Sequence, residues 1–210
     1  MEKVYLVFEL IPRFILVFRR IWIKIYNLFL HFCFKKIKGY ICFPHQLRGL
    51  QYVEIGENSV ISTGGILTAW DEYEGIKYTP SIIIGKHCRI GEYCQITACH
   101  KIIIGDNLLT GRYVYISDNA HGNTQIKHLS IPPIKRPLYV KGPVIIGNNV
   151  WIGEGARILS GVTIGGKHSV NHVFLSPTSI INFTSKKQSY DDTRRSGRDN
   201  ELLQRAQNDL

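Results

Sequence analysis

Apolar residues recur at every sixth position through several stretches of the chain between residues 55 and 170. This period fits neither an α-helical stripe nor an alternating strand, whose side chains repeat at about 3.6 and 2 residues. It is typical of a coil with flat faces, in which each short strand points one apolar side chain inward. The repeated positions are Ile55, Ile61, Ile84, Ile90, Ile96, Ile104, Thr110, Ile116, Ile146, Ile152, Ile158, Ile164 and Val170.

Glycine often follows the repeated residue, and a small or medium-sized residue often stands four positions after it. We expect the glycine to relieve a tight corner with positive φ and the small residue to point inward. Because one coil buries little surface alone, such coils gain stability by stacking. The pattern predicts a coil domain over residues 51–175 with a loop over 117–142, and no hexad follows Val170. The small residues are Ser59, Cys88, Cys94, Val114, Ala120, Val150, Ala156 and Val162.

Residues 1–50 have a different pattern and predict an amphipathic basic helix with a linker. Pro12 fits the first turn of this helix, and Gly39 fits the position after its end. Between them, over residues 12–38, the polar residues share one narrow face, which leaves a wide apolar face with a basic stripe. That stripe consists of Arg13, Arg20, Lys24, Asn27, His31, Lys35 and Lys38.

Two interpretations of this helix remain open. It lies on a membrane, with its apolar face at the acyl boundary and its basic side chains toward acidic headgroups, or it packs on its own body or on sister subunits. Charged residues interrupt its apolar run, so we expect no membrane-spanning segment. Nucleic acid is not an expected partner, because the aromatic residues are not interleaved with basic ones in a loop or sheet.

The composition narrows the class of protein. A chain of 210 residues can build one good core with appendages. Its formal net charge of +10 favours anionic partners such as phosphorylated cofactors or acidic lipid. Five unevenly spaced cysteines do not form a disulfide framework, which predicts reduced thiols and a cytoplasmic location. This predicted location includes peripheral contact with the inner face of the membrane. Residues 176–210 are expected to form an irregular, disordered tail.

The stretch from Ile146 to Gly165, IGNNVWIGEGARILSGVTIG, resembles the signature of the hexapeptide-repeat acyltransferases. Within that family it is similar to maltose and galactoside O-acetyltransferases and to related polysaccharide-modifying enzymes. The resemblance covers roughly residues 52–170. It implies an all-β fold, a left-handed parallel β-helix with three six-residue faces per coil. It also implies acetyl-CoA as cosubstrate and a homotrimer with active sites between neighbouring prisms.

The loop opens with the stretch from Tyr115 to Gly122, where the resembling enzymes carry a catalytic histidine, and His121 matches it. A neutral imidazole, with a pKa of about 6.5, can remove the proton of a sugar hydroxyl as it attacks a thioester, and can return it to the CoA sulfur. A partner must orient the ring through its other nitrogen. Asp118, Asn119 and a backbone carbonyl remain alternatives for that partner.

Further residues are candidates for binding. Trp151 stands where the resembling enzymes have a tryptophan near the pantetheine arm, and Gly142, Gly153 and Gly161 would let that arm approach the backbone. Lys167 is a candidate for the CoA phosphates, as are Lys141 and Arg157. For the saccharide acceptor, a second excursion offers aromatic rings for a sugar face and carboxylates for its hydroxyls. Its candidate residues are Trp70, Asp71, Glu72 and Tyr73.

The preferred function is an O-acetyltransferase that acts on a sugar or on a polysaccharide or glycolipid precursor. An antibiotic-modifying acetyltransferase and a non-catalytic trimeric scaffold at a membrane remain alternatives. No metal is expected, because the spacing of Cys88, Cys94, Cys99, His87 and His100 does not match a zinc site. Two of these cysteines, at 88 and 94, fall at the small inward position of the repeat, where cysteine acts as a compact apolar residue.

Overall fold

The computed structural model describes residues 2–122, 130–167, 169–170 and 174–175, with side chains for residues 15–122, 130–167 and 169–170. The predicted tail over 176–210 and the middle of the predicted loop lie outside the described residues. The chain begins with an α-helix, Glu2–Leu30, and continues into short strands. Two short 3-10 helices, Leu50–Tyr52 and Pro133–Lys135, interrupt the strands.

Within the described residues, eighteen short strands form three six-stranded sheets, here named A, B and C. The strands within each sheet are parallel, and each of six successive coils gives one strand to each sheet in the order A, B, C. The three sheets therefore enclose a prism. Coil 1 contains Lys36–Ile37, Tyr40–Ile41 and Gln46–Arg48; coil 2, Val53–Ile55, Val60–Ile61 and Ile66–Ala69; coil 3, Ser81–Ile84, Arg89–Ile90 and Gln95–Ala98; coil 4, Lys101–Ile104, Leu109–Thr110 and Tyr115–Ser117; coil 5, Val144–Ile146, Trp151–Ile152 and Arg157–Ile158; coil 6, Thr163–Ile164, Ser169–Val170 and Phe174–Leu175.

The repeated isoleucines form the core of the prism. In sheet A, Ile84, Ile104 and Ile146 stand opposite one another in successive coils, and each is at most 2% exposed. Burying one such side chain contributes about 1.5–3 kcal/mol, so the stack stabilises the prism through the same contact in each coil. The prediction of an all-β parallel β-helix with an N-terminal helix is confirmed.

The glycines of the repeat have a role different from the predicted one. Positive φ occurs two residues later, so the prediction of positive φ at these glycines is wrong. A Cβ atom on Gly91 would lie 2.1 Å from the carbonyl oxygen of Gly111, and one on Gly85 would lie 2.5 Å from the carbonyl carbon of Gly105. Glycine is needed because successive coils approach closely at the corner. Two positions after a repeat glycine, positive φ occurs at Asn58, His87, Tyr93, Asn107, Tyr113, Asn149, Gly155 and Lys167.

Both ends of the coil extend beyond the visible repeat. The helix ends at Leu30, earlier than the predicted residue 38, because Lys36 and Ile37 pair with coil 2. It also starts before Pro12, which lies inside it. At the other end, Phe174–Leu175 pairs in parallel with Arg157–Ile158 and completes coil 6. The coil therefore continues past residue 170, and its next strand follows at a spacing of five residues rather than six.

The helix packs on coil 1 through its last turns. The Asn27 side chain accepts a hydrogen bond from the Ile41 amide at 2.8 Å and donates one to the Ile41 carbonyl at 2.9 Å. Leu30 and Phe34 are each 7% exposed and join the core of the prism. These contacts satisfy backbone groups of an open sheet edge and close the first end of the prism.

Candidate active site

Two excursions leave the prism at the same edge, between a strand of sheet C and the next strand of sheet A. The first, residues 70–80, follows coil 2, and the second, residues 118–143, follows coil 4. We call this edge the site edge and the two excursions the hairpin and the loop. Because parallel strands lie about 4.8 Å apart, their starting points are separated by about 10 Å along the prism.

The hairpin is a compact two-stranded element. Glu72–Tyr73 pairs antiparallel with Ile76–Lys77, and the two residues between them, Glu74 and Gly75, have φ of 49° and 74°. This is the backbone of a type I′ turn, whose twist matches that of paired strands. Glu72 and Lys77 form an ion pair across the strands. The hairpin therefore presents its side chains from a defined backbone.

His121 lies in a two-residue strand at the start of the loop. Ala120–His121 pairs antiparallel with Leu138–Tyr139, where the loop returns, and the Gly122 amide donates to the Pro137 carbonyl at 2.9 Å. Since the exit and the return of the loop are paired, the backbone at His121 is fixed close to the prism. Ala120 is exposed in this strand, so its predicted inward position is wrong: the coil ends at Ser117.

The His121 imidazole lines a cavity of about 200 Å³ on the outer face of sheet C. The centroid of the His121 ring lies 5.2 Å from the centroid of the Tyr73 ring, which belongs to the hairpin. The cavity is lined by rings, hydroxyls and amides, a combination that suits a polyhydroxylated ligand. Its lining residues are Gln46, Ile66, Thr68, Trp70, Tyr73, Gln95, Thr97, Tyr115, Asn119, His121 and Leu138.

The two candidate partners of the imidazole have different surroundings. The Asp118 carboxylate is fully buried and accepts hydrogen bonds from the amides of Cys99 and His100, both at 2.9 Å, in the coil below. It also accepts one from the side-chain amide of Asn119 at 2.9 Å. Asn119 lines the cavity with His121. The carboxylate thus anchors the start of the loop to coil 3, and Asn119 connects that anchor to the cavity.

Of the four candidate acceptor residues, two line the cavity and two hold the hairpin. Trp70 and Tyr73 line the cavity, with ring centroids 5.9 Å apart, whereas Asp71 and Glu72 are not among its described lining residues. The Asp71 carboxylate accepts a hydrogen bond from the Tyr52 hydroxyl at 3.2 Å, and Glu72 pairs with the lysine across the hairpin. Both acidic side chains therefore hold the hairpin, while the aromatic ones face the cavity.

The Trp70 ring is fixed on two sides. Its indole N–H donates to the Thr68 hydroxyl at 3.2 Å, and that hydroxyl donates to Thr97 at 2.9 Å. The Arg48 guanidinium lies over the ring, 3.8 Å from its centroid, which is cation–π geometry. The ring is therefore held in one orientation at the rim of the cavity.

Sequence reasoning missed the polar floor of this cavity. Gln46, Gln95 and Tyr115 stand in one outward column of sheet C, each one residue before an inward apolar side chain. The sequence does contain a sign of this floor, because a polar residue occupies the same outward place in coils 1, 3 and 4. The column can be recognised as part of a cavity only once both excursions are known to cover that face of sheet C.

The candidate cofactor-binding residues do not all lie together. Gly142 and Gly161 meet at the site edge, where the Gly161 amide donates to the Gly142 carbonyl at 3.0 Å. Trp151 is 44% exposed on sheet B, and Gly153 follows that strand. Lys167 lies between sheets A and B, with φ of 62°. One protomer therefore presents these five residues on different sides of the prism.

A second cavity, of about 420 Å³, lies beside the return of the loop. Two lysines and a histidine line it, so it offers positive charge next to the glycine at residue 142. Its lining residues are Lys77, Tyr78, Thr79, Cys99, His100, Val140, Lys141, Gly142 and Pro143.

The cysteines of the coils have the environment of core residues. Burial raises the pKa of the Cys88 and Cys94 thiols, and burial together with the Asp118 carboxylate raises the pKa of Cys99 to about 12. A thiol with such a pKa is protonated and a poor nucleophile at neutral pH. Among the residues that the structure describes, no three His, Cys, Asp or Glu side chains come together as a metal site would require.

Comparisons with known proteins agree with the repeat. No model of a known protein family matches the chain. The chain is 29% identical over 147 residues to the putative lipopolysaccharide biosynthesis O-acetyl transferase WbbJ of Escherichia coli, which covers 67% of each chain. It is 33% identical over 93 residues to the galactoside O-acetyltransferase of the same organism, over 42% of this chain and 40% of that one.

Among solved structures, AntD, an N-acyltransferase from Bacillus cereus in complex with dTDP and 3-hydroxybutyryl-CoA, is similar at 17% identity with a TM-score of 0.46. The match covers 69% of this chain and 79% of that one. The coils and the repeat define a parallel β-helix protein of the hexapeptide-repeat class. The sequence relatives are named as acetyltransferases, and with the repeat they make this chain similar to the hexapeptide-repeat acetyltransferases; the predicted enzyme class, acyltransferase, is confirmed.

Proposed function

We propose that this chain transfers an acetyl group from acetyl-CoA to a hydroxyl of a sugar or of a polysaccharide precursor, with His121 as the general base. The observation that supports this most directly is the imidazole in a cavity with the rings of Trp70 and Tyr73. Aromatic rings stack on sugar faces, and the amides and hydroxyls of the cavity floor can bind sugar hydroxyls. Relatives named as sugar-directed O-acetyltransferases support the same substrate class.

In the reaction, the imidazole removes the acceptor's hydroxyl proton while its oxygen attacks the thioester carbonyl carbon. The C–S bond then breaks, and the proton passes to the CoA sulfur. Asn119 lines the cavity and donates a hydrogen bond to the buried carboxylate of Asp118. We assign Asp118 and Asn119 the task of fixing the start of the loop, so that the imidazole meets the acceptor in one orientation.

The test is the release of CoA thiol from acetyl-CoA with a panel of neutral and acidic saccharides and, separately, of antibiotics. We expect turnover with a saccharide, and we expect His121→Ala to lower kcat by about 10²–10⁴-fold. His45→Ala is the control, because His45 is an exposed histidine outside the cavity. Turnover only with antibiotics would support a detoxifying enzyme, and no turnover with any acceptor would support a scaffold.

We further propose that the active unit is a homotrimer in which neighbouring prisms share each acetyl-CoA. The supporting observation is that Trp151 lies on sheet B while His121 lies at the site edge. Both can serve one cofactor if they come from adjacent protomers. Light scattering should then give three times the chain mass of 24.0 kDa. Mixing unfolded His121→Ala and Trp151→Ala chains and refolding them together should restore activity that neither variant has alone; no restoration would place both residues in one protomer's site.

We also propose that the N-terminal helix lies on the surface of an anionic membrane. Beyond its contacts with coil 1, the helix exposes large apolar side chains, including Leu16 at 52% and Trp22 at 52%. Exposed Arg20 and Lys24 lie among them and suit acidic headgroups. Among the residues with a described position, no helix is both long and apolar enough to cross a bilayer.

Flotation with vesicles tests this membrane proposal. We expect the full chain to float with vesicles that contain an anionic lipid, and less with neutral ones. The double variant Leu16→Glu and Trp22→Glu should stay at the bottom of the gradient. Ile134→Glu is the matched control, since Ile134 is 69% exposed but belongs to the loop. Equal recovery of the double variant and the wild type would exclude the helix as the membrane contact.

A further inference from the structure

Two tyrosines of the hairpin reach across the site edge to the loop. The Tyr73 hydroxyl donates to the Ile134 carbonyl at 2.6 Å. The Tyr78 hydroxyl accepts a hydrogen bond from the Leu138 amide at 2.8 Å. These contacts join segments about 60 residues apart in sequence. They connect the excursion assigned to the acceptor with the one that contains the base.

The contact at Tyr78 lies opposite the catalytic histidine. Leu138 is the residue paired with His121 in the two-stranded ladder, so the tyrosine holds the strand on which the position of His121 depends. Tyr78 is partly buried, and burial raises the pKa of its phenol, so the hydroxyl stays protonated and neutral at neutral pH. It therefore remains one fixed acceptor for this amide.

The contact at Tyr73 adds a second point of attachment. Its ring lies beside the His121 ring, and its hydroxyl is occupied by the loop carbonyl of Ile134. A ring anchored at its far end limits how far the neighbouring imidazole can turn. Tyr73 therefore restricts the side chain of the base, while Tyr78 restricts its backbone.

The hairpin itself is attached to the prism before it reaches the loop. The Tyr78 amide donates to the Asp71 carbonyl at 2.8 Å, and the Asp71 carboxylate accepts from the Tyr52 hydroxyl. Arg48 of coil 1 covers the Trp70 ring at the base of the hairpin. Because the hairpin is fixed to coils 1 and 2 in this way, it can hold the loop, which leaves coil 4, in a defined position.

We propose that the hairpin positions the general base, with Tyr73 and Tyr78 as positioning residues that hold His121 in its reactive orientation. The inference rests on the proposed acetyl transfer. It goes further, because it assigns the hairpin a role in catalysis that is separate from binding the acceptor. It follows that replacing either hydroxyl should slow the chemical step more than it weakens the binding of acetyl-CoA.

The experiment compares Tyr73→Phe, Tyr78→Phe and the double variant with wild type. Tyr113→Phe is the matched control, because Tyr113 is an exposed tyrosine on another edge of the prism, between sheets B and C. We expect kcat to fall by about 10- to 100-fold in the double variant, since a small misplacement of a catalytic group has an effect of this size. KM for acetyl-CoA and the thermal midpoint should stay near the wild-type values. A rise in KM with unchanged kcat would overturn the proposal, because the tyrosines would then only bind substrate.

Hydrogen exchange gives a readout that does not depend on activity. In the double variant, the amides of residues 134–140 should exchange faster, since Leu138 has lost its acceptor, whereas those of residues 101–104 in sheet A should not change. Unchanged exchange in residues 134–140 would overturn the positioning role even in an active enzyme. A wild type without any acetyl transfer would instead contradict the proposed function, and faster exchange would still show that the hairpin holds the loop.

Discussion

Inside the prism, Ile84, Ile104 and Ile146 occupy equivalent places one coil apart, and each has nearly the same burial. At the site edge, the two excursions have different lengths, and the described hydrogen bonds between them have no counterpart in the other coils. The comparison separates two requirements of a catalyst. Equivalent coils provide rigidity through a repeated contact, while the excursions place particular side chains in one cavity. Substitutions in the two regions should therefore differ in kind as well as in size.

The largest difference should appear in stability. Ile96→Ala removes a side chain that is 2% exposed in coil 3, and we expect it to lower the free energy of unfolding by about 2–5 kcal/mol. Ile134→Ala, in the loop, removes the same atoms from a side chain that is 69% exposed, and should change it by less than about 0.5 kcal/mol. Urea denaturation measures both. Equal losses would mean that the loop is as much a part of the core as the coils are.

A smaller difference in stability should appear between alanine substitutions at two glycines. Gly91→Ala places a Cβ atom 2.1 Å from a backbone oxygen of the next coil, so the coils must shift, at a cost of about 1–3 kcal/mol. Gly75→Ala in the hairpin turn meets nothing within 4 Å and has only the strain of its positive φ, about 1 kcal/mol. Thermal denaturation compares the two. A larger loss at Gly75 would contradict the steric role of the repeat glycine.

The smallest effect on the fold should come from cysteine chemistry. At neutral pH, iodoacetamide should alkylate exposed Cys33 and leave Cys88, Cys94 and Cys99 unmodified, as peptide mass spectrometry can show. The sign of the pH dependence follows from Cys99, whose pKa in the folded chain is about 12 against an ordinary 9.0. Its contribution to stability is complete below pH 9.0 and is lost as the pH rises from there toward 12. Rapid alkylation of Cys99 in the folded chain would contradict its burial.

Sequence reasoning succeeded where the structure repeats. The period of six identified the inward isoleucines, because each coil imposes the same requirement on its residues. It failed at the first and last coils. In coil 1, inward Ile37 and Ile41 are only four residues apart, and in coil 6 the strands Ser169–Val170 and Phe174–Leu175 begin five residues apart. A period search does not detect such spacings, although backbone pairing with the neighbouring coil accepts them.

The site was only partly predictable for a related reason. His121 could be named through its match to the resembling enzymes, and Trp70 and Tyr73 because they stand in an excursion from the repeat. The role of Asp118 could not, because its partners are backbone amides of another coil, and no residue type in the sequence marks them. The tyrosine contacts between hairpin and loop depend in the same way on two distant segments that leave one edge.

Coil 3 separates the two excursions, so the number of coils between them sets the distance from hairpin to loop. Inserting or deleting one whole coil there would alter the gap between the Trp70 and Tyr73 rings and His121 by a fixed increment of about 4.8 Å, with the core contacts preserved. The size of the cavity between hairpin and loop could thus change in discrete steps of one coil, without any change in the sequence of either excursion.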